Sequence, residues 1–161
     1  MSDTPCFMTH TIYSFEEYKR YCRTIQNKMI HRPVVIAVMM VAFALLALFA
    51  DDLSMRIGFL IGALLCPLIF HIISAVMEKK AYYANRAFQD ADLTYSFYPD
   101  HIETSNVLGF TTISYDQLYR VIETKQNFYL MISQNQGMII VKQNCSPELL
   151  SFLQQLHTKA S

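Results

Sequence analysis

The spacing of apolar and polar residues divides this chain into segments of different period. Pro33 to Ala50 and Ile57 to Met77 are continuous apolar runs without a single Asp, Glu, Lys or Arg, separated by Asp51-Asp52-Leu53-Ser54-Met55-Arg56. At 1.5 Å per residue they make helices of about 27 Å and about 31 Å, against a hydrocarbon core of about 30 Å. The pattern predicts a transmembrane hairpin. Outside it the period is helical. Ser14-Phe15-Glu16-Glu17 has the form of a capping box, so a helix is predicted to start there. Phe15, Tyr18, Cys22, Ile25 and Met29 then recur at spacings of 3, 4, 3 and 4, and Met77, Ala81, Ala84 and Phe88 at 4, 3 and 4. Both patterns suit a helical seam, and predict that the two membrane helices continue together as an antiparallel cytoplasmic stem. Ahead of it, Phe7 to Ile12 is β-leaning and is expected to add a strand to a soluble domain.

From Asp92 the period falls to two, with Leu93, Tyr95 and Phe97 on one face. Turn residues at Pro99-Asp100, Asn106 to Gly109, Lys125-Gln126-Asn127 and Asn135-Gln136-Gly137 punctuate a meander of short strands. Ser146-Pro147-Glu148 opens a final helix, with Ser as the cap, Pro in the first turn and an acid at the positive end of the dipole. Leu149, Leu150, Leu153 and Leu156 give that helix its apolar face. The expected fold class is an α+β membrane protein: a two-helix transmembrane hairpin with a helical stem, and a small antiparallel PH-like β half-barrel capped by a C-terminal helix. The expected divisions are 1–32 for the strand and stem helix, 33–77 for the hairpin, 78–91 for the stem continuation and 92–161 for the β-domain.

Charge orients this scheme. Lys19, Arg20, Arg23, Lys28 and Arg32 precede the first run and Lys79, Lys80 and Arg86 follow the second, while the intervening loop carries Arg56 beside two Asp. The positive-inside rule then places the protein in the cell membrane as a two-pass chain with both termini cytoplasmic. The formal net charge of the 161 residues is zero, which removes nucleic acid as an expected partner. Residues 92–161 hold four basic side chains against six acids, so polyanionic lipid is disfavoured as a ligand of the β-domain.

Candidate chemistry is sparse. Cys6, Cys22, Cys66 and Cys145 show no paired spacing, and the five His are dispersed, so no metal ligand set, cofactor site or catalytic residue is expected. His71 and Ser74 are the polar features of the spans, and their structural reading is favoured over a proton relay. Gly58, Gly62 and Cys66 form a small-residue row. It suits either a homodimer or, more simply, an internal seam against Ala44 and Ala47. Tyr98, Tyr119 and Tyr129 are the candidate partner-binding surface.

Residues 105–130, Ser-Asn-Val-Leu-Gly-Phe-Thr-Thr-Ile-Ser-Tyr-Asp-Gln-Leu-Tyr-Arg-Val-Ile-Glu-Thr-Lys-Gln-Asn-Phe-Tyr-Leu, resemble the YcxB-like family of bacterial membrane proteins. The likeness extends through Ile139-Ile140-Val141-Lys142 to the final helix, over about residues 92–158. Tyr115 stands where that family commonly has Trp. The resemblance implies an inner-membrane protein with a PH-like cytoplasmic domain, and no activity. The expected function is therefore a non-enzymatic, membrane-anchored interaction module whose partners are the lipid bilayer and a protein. Alternatives are a self-immunity protein against a membrane-acting toxin or bacteriocin, and an oligomeric transporter or sensor component.

Overall fold

The computed structural model describes residues 4–28, 31–86, 88–107 and 109–159. The elements in chain order are β1 (Phe7–Ile12), α1 (Phe15–Lys28), α2 (Arg32–Phe49), α3 (Leu53–Ala84), β2 (Asp92–Phe97), β3 (His101–Asn106), β4 (Gly109–Ser114), β5 (Arg120–Glu123), β6 (Asn127–Met131), β7 (Gly137–Val141) and α4 (Pro147–Lys159). Two compact units result, one of Met1–Tyr21 with Asn85–Ser161 and the other of Cys22–Ala84.

In the second unit α2 and α3 pack as a hairpin, and both are long and apolar enough to cross a membrane. Their surfaces are almost entirely apolar side chains turned outward, among them Val38, Leu48, Phe49, Leu64 and Val76. The link between them is shorter than the polar break suggests, because α3 begins at Leu53. Arg56 donates from Nε to the carbonyl of Ala50 at 2.9 Å, closing the end of α2. Gly62 sits against Phe43, where an added Cβ would lie 3.1 Å from the ring, whereas Gly58 has open space around it. Cys66 is half-buried and Ala44 exposed. The seam of this row is thus internal at Gly62, made with Phe43 and with the buried Ala47 of α2 nearby in sequence. Gly62→Leu is expected to overpack it and cost about 1–3 kcal/mol. Gly58→Leu should leave the hairpin within about 0.5 kcal/mol. Unfolding midpoints in detergent distinguish the two.

The stem differs from expectation. α3 does run on unbroken to Ala84, but α1 and α2 are separate helices, with His31 in the left-handed region at φ 52°. The reason is Pro33, which lacks an N–H and would clash with the carbonyl four residues back if a helix continued through it. It is instead accommodated in the first turn of α2. Of the expected face, Met77, Ala81 and Ala84 on α3 are exposed, as is Phe88 beyond its end; the covered side of α3 is Ser74, Glu78 and Tyr82. Gln26 Nε2 of α1 donates to Glu78 Oε1 at 2.8 Å. On α1, Phe15, Tyr18, Cys22 and Ile25 are at least half-buried, with Tyr21 buried beside them; Met29 lies outside the described residues.

The first unit holds two antiparallel sheets, ordered β1-β2-β3-β4 and β5-β6-β7. Although β1 is separated from β2 by the apolar hairpin, it pairs with it in register from Phe7 with Phe97 to Ile12 with Asp92. The buried hydroxyls of Thr9 and Thr11 join β1 to β7 and the turn after it: Thr9 Oγ1 donates to the Asn144 carbonyl at 2.9 Å and Thr11 Oγ1 accepts from Val141 N–H at 3.4 Å. Leu93, Phe97, Ile102, Val121, Phe128, Leu130 and Ile140 fill the space between the sheets, and α4 contributes Leu149 and Leu153, both fully buried. Tyr95 shares this core, where burial pushes its hydroxyl well above the ordinary tyrosine range.

The outer face of β5-β6-β7 is not open. Tyr21 of α1 meets Tyr129 edge to face at 5.6 Å and donates its hydroxyl to the Asn135 carbonyl at 3.0 Å. The β3–β4 turn, closed by Gly109 at φ 145°, lies at the end of the first sheet where Ile12 leaves β1 and Asp92 enters β2.

Candidate functional site

A groove of about 440 Å³ opens beside α4, lined by Pro99, Tyr115, Asp116, Leu118, Val121, Phe152 and Leu156. Local sequence builds each wall. Ser146 accepts from the Leu149 N–H at 3.2 Å and Pro147 starts the helix, so α4 projects Phe152 and Leu156 along one side. Opposite, Ser114 and Gln117 form a reciprocal capping box around the 3₁₀ turn Tyr115–Gln117. That turn is stitched to the β2–β3 connection: Tyr115 N–H donates to the Asp100 carbonyl at 3.3 Å, and its hydroxyl donates to the Tyr98 carbonyl at 2.7 Å.

Phe152 is held firmly, because its ring meets Phe7 at 5.6 Å, Tyr115 at 5.7 Å and Phe97 at 6.2 Å. Tilted and edge-on ring contacts of this kind fix an aromatic wall before any ligand arrives. Val121 lies on the sheet side of the groove, and β5, which carries it, is the outer strand of its sheet. α4 packs against this strand, so its Phe152 and Leu156 border the same groove.

Electrostatically the groove is one-sided. Asp116 is exposed and is the charged residue among the lining side chains. Next to the lining residue Pro99, the hydrogen bond from His101 at 2.7 Å holds the Asp100 carboxyl below the usual carboxylate range. Burial pushes the Tyr115 hydroxyl up, so it remains a neutral donor to the Tyr98 carbonyl. Glu123 is held low by Lys142, whose ammonium also lies 4.5 Å from the Phe128 ring centre. Among the described residues no three His, Cys, Asp or Glu side chains converge as a metal set.

The three tyrosines expected at the surface part company. Tyr119 is 51% exposed at the entry to β5, and Tyr98 is half-buried with its ring stacked on His101 at 4.5 Å. Tyr129 must be corrected. It is 1% exposed, its hydroxyl accepts from Asn127 Nδ2 at 3.2 Å, and Tyr21 covers its ring, so it has no face for a partner. The groove residues Tyr115, Leu118 and Phe152 are not among those expected from the sequence. Their signal is partial: the leucine pattern foretells the apolar side of α4, but not which of its residues border a cavity.

The polar residues of the hairpin also acquire partners. His71 Nδ1 lies 3.2 Å from Arg32 Nη2, and the same guanidinium sits 5.2 Å from the Phe70 ring centre and bonds Gln26. Ser74 donates to the Phe70 carbonyl at 2.8 Å.

The family model described as YcxB-like protein matches residues 97–156. This segment is therefore similar to the YcxB-like family over those residues. No curated protein and no solved structure matches the chain. Every lining residue of the groove falls inside the YcxB-like match, whereas β1, α1, α2 and α3 fall outside it.

Proposed function

We propose that this chain is a non-enzymatic interaction module held at a membrane. In this reading α2 and α3 cross the bilayer as a hairpin, with both termini cytoplasmic as the flanking Lys and Arg favour. The YcxB-like domain is then a PH-like half-barrel displayed at the inner leaflet, and its ligand is an extended protein segment lying in the groove beside α4. The outward apolar surfaces of both helices support the first part. The observation that carries the second is the conjunction of a preformed aromatic wall and an acidic rim in one groove.

The chemistry of the ligand follows from that conjunction. The Phe152 and Leu156 wall takes a bulky apolar side chain, and Asp116 favours a Lys or Arg close to it. Tethering at the membrane raises the local concentration of the domain for partners that are themselves at the surface.

A displayed peptide library selected against the full chain in nanodiscs tests this. Enriched sequences should combine an apolar anchor with a basic residue. Leu156→Arg and Asp116→Arg should each weaken the selected peptides about tenfold to a hundredfold, in line with loss of a central anchor. Absence of enrichment, or peptides indifferent to both substitutions, would overturn the proposal.

A further inference from the structure

Away from the groove, the β3–β4 turn also displays apolar side chains. Val107 is 95% exposed and Phe110 78% exposed, and no Asp, Glu, Lys or Arg occurs from Ser105 through Tyr115. Large apolar side chains at an uncharged hairpin tip are a liability in water and favour an apolar phase. The position of the turn identifies that phase. Thr94 pairs with Ser105 and Ile12 with Asp92, so the β3 register brings Val107 to the level of Asp92 and Ile12. Ile12 is itself 54% exposed. This is the end of the sheet at which β1 leads into α1 and the linker from α3 enters β2. Seven residues, 85–91, link α3 to β2, a span of at most about 25 Å.

We infer that the β3–β4 tip inserts Val107 and Phe110 into the interfacial layer of the same bilayer that α2 and α3 cross. The inference rests on the membrane reading above. Apolar side chains lodge readily at the boundary of headgroups and acyl chains, about 5–10 Å deep. The uncharged tip suits that layer, and the acidic balance of the domain leaves apolar contact, not attraction to anionic headgroups, as the means of docking. The tether supplies the effective concentration that a contact of two side chains would lack in free solution. Docking in this way fixes the orientation of the domain and of its groove to the membrane surface.

The chain contains no Trp, so a single substitution makes a clean reporter. Phe110→Trp in the full chain is reconstituted into phosphatidylcholine vesicles with and without brominated acyl chains, and Phe49→Trp in α2 is prepared separately as the reference. The indole introduced at the tip should emit at short wavelength and be quenched by the brominated lipid. Adding Val107→Asp should lower the docked-to-undocked ratio read from the quenching about tenfold, the weight of one buried apolar side chain. Red-shifted, unquenched emission from Phe110→Trp would overturn the inference. Blue-shifted but unquenched emission would also overturn it, since protein and not lipid would then cover the tip. Absence of quenching in Phe49→Trp would instead remove the membrane hairpin itself, and the inference with it.

Discussion

Tyr21→Ala is expected to cost the β-domain about 3–5 kcal/mol, the usual penalty for emptying a buried aromatic site. A domain of ordinary stability has about 5–15 kcal/mol in total, so the variant sits near the edge of unfolding. Two contacts disappear together: the 5.6 Å ring contact with Tyr129 and the hydroxyl bond to the Asn135 carbonyl. Tyr21→Phe keeps the first and loses the second, and should cost about 1 kcal/mol. Hydrogen exchange at the β6 amides is the direct measurement, because each opening there reports the stability of the surrounding sheet. Exchange should accelerate about a hundredfold or more in Tyr21→Ala, as about 3 kcal/mol requires. Unchanged exchange in β5, β6 and β7 would show that α1 does not hold the sheet, and would return this helix to a role in the stem.

Asn127→Asp is expected to be comparably damaging, by about 3 kcal/mol or more at neutral pH, because it places a second carboxylate in a buried site. Asn127 is fully buried, and its Nδ2 donates to Glu17 Oε2 at 2.6 Å and to the Tyr129 hydroxyl at 3.2 Å. The amide must face Glu17 this way round, since the reverse would set its carbonyl against a carboxylate. Its Oδ1 is left buried without a hydrogen-bond partner. The variant's pH dependence has a definite sign. Burial and the neighbouring Glu17 raise the folded pKa of the new carboxyl above its unfolded value. The deficit is therefore fully developed above that raised pKa and shrinks as pH falls through it. Unfolding midpoints of wild type and variant should converge as pH falls from about 7 to about 5. Adding Glu17→Gln should restore most of the loss at neutral pH. A deficit that is constant with pH and indifferent to Glu17→Gln would rule out charge repulsion as its cause.

Local chemistry makes much of the fold legible. The β-domain strands, the Ser14 start of α1, the Ser146-Pro147 start of α4 and the strand Phe7–Ile12 all follow from spacing and turn residues that act within a few positions. The departures share one origin. Simple alternation would turn Tyr129 outward, yet Phe128, Tyr129, Leu130 and Met131 form a continuous apolar run, the mark of a strand buried on both faces. The cover on its second face comes from α1, more than a hundred residues earlier in the chain. The continuous stem fails at Pro33, whose missing N–H is legible in the sequence and outweighs two short heptad patterns. For the groove, α4's leucines announce an apolar side, but the cavity depends on how the Tyr115 turn is pinned to the Tyr98 carbonyl.

The sequence alone therefore determined the two apolar helices, the strand meander and the capping helix, because each depends on a residue and its near neighbours along the chain. Tertiary structure decided which faces of those elements remain open. It closed Tyr129 beneath α1, turned Gly62 inward against Phe43, and left the α4 groove and the side chains of Val107 and Phe110 uncovered. The physical reason is that periodicity marks an apolar face but carries no record of what covers it. That is settled by contacts between segments far apart in the chain.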